Sequence, residues 1–144
     1  MNTIKIYNNS GEVLAVELSD ILECIEYGDV LVWSILWLEI IGDISTSVPE
    51  LEKSIQKSKN GLPMEWNDLK KLASRIDQVI EMLLIADNNP SNLKRYNNDQ
   101  EMYDTCEFTI ELIDSSYWLI HSPKAENLNK IKKALSRSAF VVEV

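Results

Sequence analysis

The segment from Trp66 to Asp87 constrains the fold of this chain more than any other. Its sequence, WNDLKKLASRIDQVIEMLLIAD, places apolar residues at alternating spacings of three and four. The apolar positions are Leu69, Leu72, Ala73, Ile76, Val79, Ile80, Leu83 and Leu84. This is the period of a helix that buries one face. Pro63 suits the first turn of such a helix, and Pro90 stops it. The pattern therefore predicts one long central helix.

Length and hydrophobicity favour a single domain that spans residues 1–144. A chain of 144 residues with 45% hydrophobic content can bury about two-thirds of its extended surface. The most apolar stretch, Val30–Ile41, includes Glu39 and is too short to cross a membrane. The N-terminal sequence, MNTIKIYNNSGE, lacks a basic region followed by an apolar run, so we expect no export signal. These features predict a cytoplasmic protein.

The negative charge is concentrated in the first third of the chain. The formal charge is −9, yet residues 1–52 carry ten acids and one base, while residues 53–144 carry thirteen of each sign. Such a surface repels nucleic acid and anionic lipid and attracts a basic partner. An acidic protein without such a partner is also common, so the charge alone carries modest weight.

Short elements are predicted for the first 41 residues. Thr3–Tyr7 and Glu12–Glu17 flank a turn-forming Asn-Asn-Ser-Gly sequence, which predicts a β-hairpin. Ser19 can cap a helix over Asp20–Tyr27 that ends at Gly28. Val30–Ile41 is apolar throughout and fits either a helix or a central strand. Its β-branched and aromatic residues favour the strand. Trp33 and Trp37 then share one face, and both are expected in the core.

Two connections flank the predicted central helix. Asp43–Pro63 contains a short helix over Pro49–Lys57. Asp87–Asp104 holds five asparagines without an apolar period, which predicts a surface excursion. Lys94, Arg95 and Tyr96 within it have groups that bind anions, but long polar loops often carry such residues without a role.

The last forty residues predict a ββαβ order. Cys106–Ile113 alternates, with Cys106, Phe108, Ile110 and Leu112 on one side, and Tyr117–His121 follows a turn. A basic amphipathic helix then runs from Ser122 to about Arg137, with Leu128, Ile131 and Leu135 as its apolar stripe. Ala139–Val144 is a final strand. The fold class is therefore α+β, with a mostly antiparallel sheet packed against a long central helix and a C-terminal helix.

The residue pattern favours no catalytic, metal or cofactor site. His121 follows Asp114, Ser115 and Ser116, but a Ser-His-Asp triad needs a serine on a sharp elbow and an oxyanion hole. Asp77 and Glu81 share a face of the predicted helix without a histidine or further acids to complete a metal site. We therefore predict a protein that is not an enzyme, with no catalytic residues, no metal and no cofactor.

The cysteines and the basic helix have simple interpretations. Cys24 and Cys106 have apolar neighbours and no C-x-x-C spacing, which is typical of free buried thiols in a reducing compartment. The C-terminal helix carries five basic residues, but it lacks the aromatics expected for single-strand binding. We expect it to neutralise the acidic first third rather than to bind nucleic acid.

Three local signatures resemble small bacterial immunity proteins encoded beside polymorphic toxins, including contact-dependent growth-inhibition toxins. The signatures are Gly61-Leu62 with Trp66, Leu69, Leu72 and Gln78; Asp114-Ser115-Ser116-Tyr117-Trp118 before a helix and strand; and the Trp33–Gly42 segment. They cover residues 30–144 as scattered positions, and the acidic first third has no counterpart. The resemblance implies binding and blocking of a cognate toxin domain, often a nuclease, without catalysis.

Two functional hypotheses follow from the sequence. The first is an immunity protein that neutralises a basic toxin domain and binds neither nucleic acid nor membrane. Its predicted partner-binding residues are acids of the first third: Glu17, Asp20, Glu23, Glu26, Asp29 and Asp43. The alternative is a small-molecule-binding or regulatory domain, which requires an apolar pocket lined by Trp33, Trp37 or Trp118. A hydrolase is a distant third. No feature predicts the oligomeric state.

Overall fold

The chain folds around an antiparallel β-sheet in the computed structural model, which describes residues 2–8, 14–41, 48–76 and 78–144. The strands in these ranges are β1 (Thr3–Tyr7), β2 (Val32–Ile41), β3 (Leu62–Met64), β4 (Gln78–Asp87), β5 (Phe108–Ile113), β6 (Tyr117–His121) and β7 (Phe140–Glu143). The α-helices are α1 (Leu18–Glu23), α2 (Val48–Lys57), α3 (Trp66–Arg75), α4 (Asp99–Thr105) and α5 (Ala125–Leu135). The strand order is β3-β2-β4-β5-β6-β1-β7. The expected α+β class is confirmed.

One face of the sheet carries the main core, and we call it the helix face. Strand residues on this face pack against apolar residues of α1, α3 and α5 in one buried cluster. The strand residues include Ile4, Ile6, Trp33, Ile35, Leu84, Phe108, Ile110, Trp118 and Ile120. The helices contribute Leu18, Ile21 and Leu22 from α1, Leu69 and Ala73 from α3, and Leu128, Ile131 and Leu135 from α5. The other side of the sheet is called the opposite face below.

The predicted long central helix is wrong beyond Ile76. Helix α3 ends at Arg75, and the rest of the apolar run forms the central strand β4. Met82 and Leu84 belong to the main core, whereas Ile85 packs in a second cluster with Leu36. Because β4 carries apolar residues on both of its faces, they do not alternate with polar ones. A strand of this kind cannot be distinguished from a buried helix by periodicity.

The strand predicted for Val30–Ile41 is confirmed as β2, but the expectation that Trp37 lies in the core is wrong. Ile35 pairs with Leu84 and Trp37 pairs with Leu83, so Leu36 is an extra residue in a β-bulge. A bulge shifts the alternation by one position. Trp33 consequently points into the main core with no exposed surface, whereas Trp37 lies on the opposite face and is 37% exposed.

The predicted N-terminal hairpin is wrong in its second strand. Residues 14–17 form no strand, and β1 instead pairs with β6 on one side and β7 on the other. Of the predicted turn at Asn8–Gly11, residues 9–11 lie outside the described residues. The next predicted element exists with shifted bounds, because Glu17 rather than Ser19 is the N-cap of α1. Its predicted apolar side, with Ile21, Leu22 and Ile25, is buried.

The predicted surface excursion after β4 is a structured cover for the opposite face. Met102 of α4 and Cys106 pack with Leu36 and Ile85 in the second cluster. Cys106 therefore does not share the side of Phe108, Ile110 and Leu112 as predicted. Arg95 anchors this segment, because its guanidinium donates to the carbonyls of Leu36 at 2.7 Å, Ile55 at 2.8 Å and Ser58 at 3.3 Å. Arg95 is thus engaged by backbone oxygens.

The remaining sequence-based elements are confirmed. Strands β5 and β6 form the predicted hairpin, α2 covers the predicted short helix, and α5 buries Leu128, Ile131 and Leu135. The final strand is β7, which lies at one edge of the sheet. Within the described ranges, each helix is too short or too polar to span a membrane.

Candidate functional site

Three rows of side chains cross the opposite face of the sheet. The first row contains Ile85, Thr109, His121 and Thr3, and α4 covers it with Met102 and Tyr103. The second row runs through Trp37, Leu83, Glu111, Leu119, Lys5 and Val142. The third row runs through Ile113, Tyr117, Tyr7 and Phe140. Residues of the second and third rows are half-buried or exposed, so they form the open side of the fold.

A patch at the β2–β4–β5 end of this open side combines an indole, apolar side chains and acids. It surrounds a shallow depression and is called the sheet-face patch: Trp37, Glu39, Glu81, Leu83, Glu111 and Ile113. The Trp37 indole N–H donates to Glu39 Oε1 at 3.1 Å. Exposed aromatic residues are enriched at protein interfaces, and carboxylates bind basic side chains.

Two acids of the sheet-face patch oppose each other directly. Glu39 of β2 and Glu81 of β4 are cross-strand partners, and both are half-buried. Like charges placed opposite each other on one face of a sheet are destabilising by a few tenths of a kcal/mol to about 1 kcal/mol. Two carboxylates therefore share one face of the sheet beside an exposed tryptophan.

Glu111 joins the patch to a buried polar network. Its Oε2 lies 3.1 Å from His121 Nε2 and accepts a hydrogen bond from the Tyr103 hydroxyl at 3.1 Å. Thr3 Oγ1 lies 2.7 Å from His121 Nδ1. Burial, followed by the Glu111 charge, raises the pKa of Tyr103 above its ordinary range. The network links α4 and β1 to β5 and β6 and holds one carboxylate of the patch in place.

The fold does not bring His121 together with Asp114, Ser115 and Ser116, the residues considered for a Ser-His-Asp triad. Asp114 and Ser115 form the β5–β6 turn, both with positive φ, of 47° and 57°. His121 lies at the other end of β6, where its partners are Thr3 and Glu111. Tyr117 and His121 are four positions apart along the extended strand, a distance of about 13 Å. The turn residues therefore serve the hairpin.

The predicted acidic residues lie away from the sheet-face patch, around α1 in the helix layer. Glu17, Glu23, Glu26 and Asp29 are exposed, and Asp20 is half-buried. The Asp20 carboxylate accepts from the Glu17 amide at 2.8 Å and so caps the helix. Asp43 lies outside the described residues.

One of these acids links the acidic first third to the basic helix. Glu26 Oε2 lies 2.9 Å from the Lys130 ammonium of α5. The partnership raises the pKa of Lys130. This contact agrees with the expected partial neutralisation of the first third by α5.

The described part of the chain contains neither a group of metal-binding side chains nor a cysteine with a lowered pKa. Within it, no three His, Cys, Asp or Glu residues are grouped to hold a metal ion. Asp77, one member of the carboxylate pair considered from the sequence, lies outside the described residues. Cys24 and Cys106 are free thiols, and burial raises the pKa of each. Neither thiol is activated.

The residues that carry the family resemblance have structural roles in this fold. Gly61 has a φ of +86°, which an L side chain rarely adopts. Trp66 stacks on Trp33 with ring centroids 5.2 Å apart. Trp118 is 1% exposed, and its indole N–H donates to the Val16 carbonyl at 2.9 Å. None of these three residues belongs to the sheet-face patch.

A second concavity lies between α1, α3 and the sheet. It has a volume of about 290 Å³, and its lining is mostly apolar. The lining residues are Leu14, Val16, Glu17, Leu18, Ala73, Ile76, Val79, Leu112, Ser115 and Trp118. We call it the Trp118 cleft. Its volume is near the lower end of small-molecule sites.

Comparison with models of protein families, with curated proteins and with solved structures finds no match to this chain.

No local sequence pattern identifies the sheet-face patch. The bulge at Leu36, which turns Trp37 away from the core, has no local sequence signal. The strand that carries Glu81 has the apolar spacing of a helix. The only available signal was Glu39, a charged residue inside a run of apolar ones.

Proposed function

We propose that this protein is an immunity protein that binds and neutralises a cognate bacterial toxin domain by forming a stoichiometric complex. The observation that carries the proposal is the sheet-face patch, where the exposed Trp37 lies beside the opposed carboxylates of Glu39 and Glu81. The resemblance of the chain to immunity proteins supplies the class of partner. No catalytic step is part of the proposal.

The chemistry of the patch suggests the docking contact. A lysine or arginine of the toxin that enters between Glu39 and Glu81 would relieve their repulsion and gain two charge-assisted hydrogen bonds. Trp37 would cover the apolar stem of that side chain and exclude water. A basic active-site cleft, such as that of a nuclease, offers such side chains.

The acids around α1 act at longer range in this proposal. Glu23, Glu26 and Asp29 are exposed, and the excess negative charge of the chain lies in its first third. A field of one sign accelerates the encounter with an oppositely charged protein and is screened by salt. The proposal thus assigns capture to the first third and docking to the sheet-face patch.

The test uses the purified toxin domain encoded beside the gene of this chain, with association measured at low and high salt. Asp20→Asn, Glu23→Gln and Glu26→Gln together should slow association and reduce its salt dependence, with little effect on dissociation. Trp37→Ala should accelerate dissociation at least tenfold. Tyr27→Ala is the matched control, because Tyr27 is a 66% exposed aromatic residue outside the patch.

Two results would contradict the proposal. Absence of a complex with the neighbouring toxin domain, together with no protection of cells that express it, would remove the immunity function. If the triple acid variant and Trp37→Ala both bind the toxin domain tightly with wild-type kinetics, the immunity function is retained but the interface lies elsewhere.

The Trp118 cleft favours a second candidate function, the binding of a small apolar molecule. Its lining is mostly apolar, with Glu17 and Ser115 as polar groups that could orient a ligand. Titration with the apolar dye ANS should show saturable fluorescence in the native protein. Ala73→Leu, which places a larger side chain in the cleft, should abolish that signal without unfolding. Unchanged dye binding in this variant would exclude the cleft as the site.

A further inference from the structure

The two edges of the sheet are protected to different degrees. One edge is β3, a strand of three residues that contains Pro63. Short strands and prolines prevent edge-to-edge pairing. The other edge is β7, whose sequence, FVVE, has neither proline nor lysine. Within the described residues, no strand pairs with the outer side of β7.

Apolar side chains are exposed along the unprotected edge. Phe140 is 47% exposed, Val142 40% and Val144 73%. They alternate along the chain and so lie on one face, where Phe140 stacks on Tyr7 with centroids 5.4 Å apart. An exposed apolar edge of this kind is a site for pairing with another strand.

The backbone of β7 shows which groups are available for that pairing. The Val144 amide donates to the Thr3 carbonyl at 3.0 Å, so Val144 belongs to a hydrogen-bonded pair with β1. Such pairs alternate along an antiparallel ladder. The N–H and C=O groups of Phe140 and Val142 therefore also point to β1. Those of Val141 and Glu143 point outward.

We propose that β7 pairs with β7 of a second copy of this chain, antiparallel and with the twofold axis at Val142. In this register Val141 of each copy is opposite Glu143 of the other. The outward N–H and C=O groups of these two residues then satisfy one another in four hydrogen bonds. On the open face, Val142 meets its own copy and Phe140 meets Val144. The two sheets become one continuous sheet.

Self-complementarity selects this register over its neighbours. A shift that centres the axis on Glu143 places the two Glu143 carboxylates opposite each other, which is unfavourable. A shift that centres it on Val141 requires the Ala139 backbone as a partner. The Ala139 amide already donates to the Leu135 carbonyl at 3.2 Å. Within the described chain, only the Val142-centred register uses backbone N–H and C=O groups that point away from β1 and have no other hydrogen-bond partner.

Crosslinking tests the register directly. Val142 and its copy would form a non-hydrogen-bonded pair, with Cα atoms about 4.5 Å apart, which suits a disulfide. In a Cys24→Ser background, Val142→Cys should form an intermolecular disulfide under mild oxidation. Val144→Cys is the matched control: it is more exposed, yet its copy would lie more than about 10 Å away. Equal or greater crosslinking at Val144 would overturn the register and indicate random collisions.

Solution mass tests the association itself. Sedimentation equilibrium of the full chain should give twice the chain mass at high protein concentration and dissociation on dilution. Val142→Lys should lower the association constant at least tenfold at an unchanged melting temperature. Val30→Lys, at a 66% exposed valine outside β7, should leave it unchanged. A single-chain mass at all concentrations overturns the proposal. The sheet-face patch begins at β5, three strand spacings or about 14 Å from β7, and both measurements are made without a toxin domain, so these results do not depend on toxin binding.

Discussion

The rings of Tyr103 and His121 lie nearly parallel, with centroids 3.6 Å apart and an interplanar angle of 12°. Both side chains also reach Glu111 Oε2, each at 3.1 Å. One arrangement of protons satisfies all of these groups: Thr3 donates to Nδ1, and Nε2 and Tyr103 donate to the carboxylate. Helix α4 is therefore held on the sheet by the stacking of Tyr103 on His121 and by the hydrogen bond from Tyr103 to Glu111.

Tyr103→Phe tests the hydrogen-bonded part of this contact. The substitution keeps the stacked ring but removes a donor to a charged acceptor, so we expect a loss of about 1–3 kcal/mol in the free energy of unfolding. Urea denaturation of the two proteins measures the difference. Tyr27→Phe, at an exposed tyrosine, should change stability by less than about 0.5 kcal/mol. Equal effects of the two substitutions would show that the Tyr103–Glu111 hydrogen bond contributes nothing.

The same residue should make the fold sensitive to alkaline pH. The pKa of Tyr103 is raised in the folded state, by burial first and then by the Glu111 charge. The unfolded chain loses this proton near the ordinary pKa of 10.0 while the folded chain retains it. The contribution of the neutral phenol is therefore complete below that pH and is lost as pH rises above it.

Comparison of wild type with Tyr103→Phe separates the effect of Tyr103 ionisation on stability from the effects of other groups that lose a proton at alkaline pH. Above pH 10, stability of the wild type should fall more steeply than that of the variant, by at most about 1.4 kcal/mol per pH unit. Tyr96, whose pKa is also raised by burial, contributes equally to both curves. Parallel curves would mean that Tyr103 ionises equally well in both states.

Elements with a single apolar face were predictable from the sequence, whereas β4, which is apolar on both faces, was not. Helix α5 buries Leu128, Ile131 and Leu135 on one stripe, and the β5–β6 hairpin shows period-two alternation. Strand β4 carries apolar residues on both faces, so its composition resembles a continuation of α3. The bulge at Leu36 depends on pairing between β2 and β4, which no local pattern encodes.

The candidate site was less predictable than the fold. Charge counting located the acids in the first third, but it could not distinguish the α1 acids from Glu39. Glu81 and Glu111 come from distant segments and join Glu39 only through strand order. A site assembled by a sheet register therefore requires the topology, which the sequence pattern did not provide.

Trp118 and Trp37 form a matched pair for separating stability from binding. Trp118 is 1% exposed, so Trp118→Ala should cost about 3–5 kcal/mol, in the range of large-to-small core substitutions. Trp37 is 37% exposed, and Trp37→Ala should cost at most about 2 kcal/mol. Thermal and urea unfolding measure both. If Trp118→Ala melts like the wild type, the indole does not support the core.

The opposed acids of the sheet-face patch give the last prediction. Because Glu39 and Glu81 repel each other, Glu81→Gln should stabilise the free protein by about 0.2–1 kcal/mol while weakening its complex with the toxin domain. High salt screens the repulsion, so the gain in stability should be smaller at high salt.

A double-mutant cycle with Glu39→Gln measures the coupling between the two acids. Once one charge is absent, neutralising the other should give no further gain. Additive effects of the two substitutions would show that each acid acts through its own surroundings, and the patch would then lose its main electrostatic reason to bind a basic group.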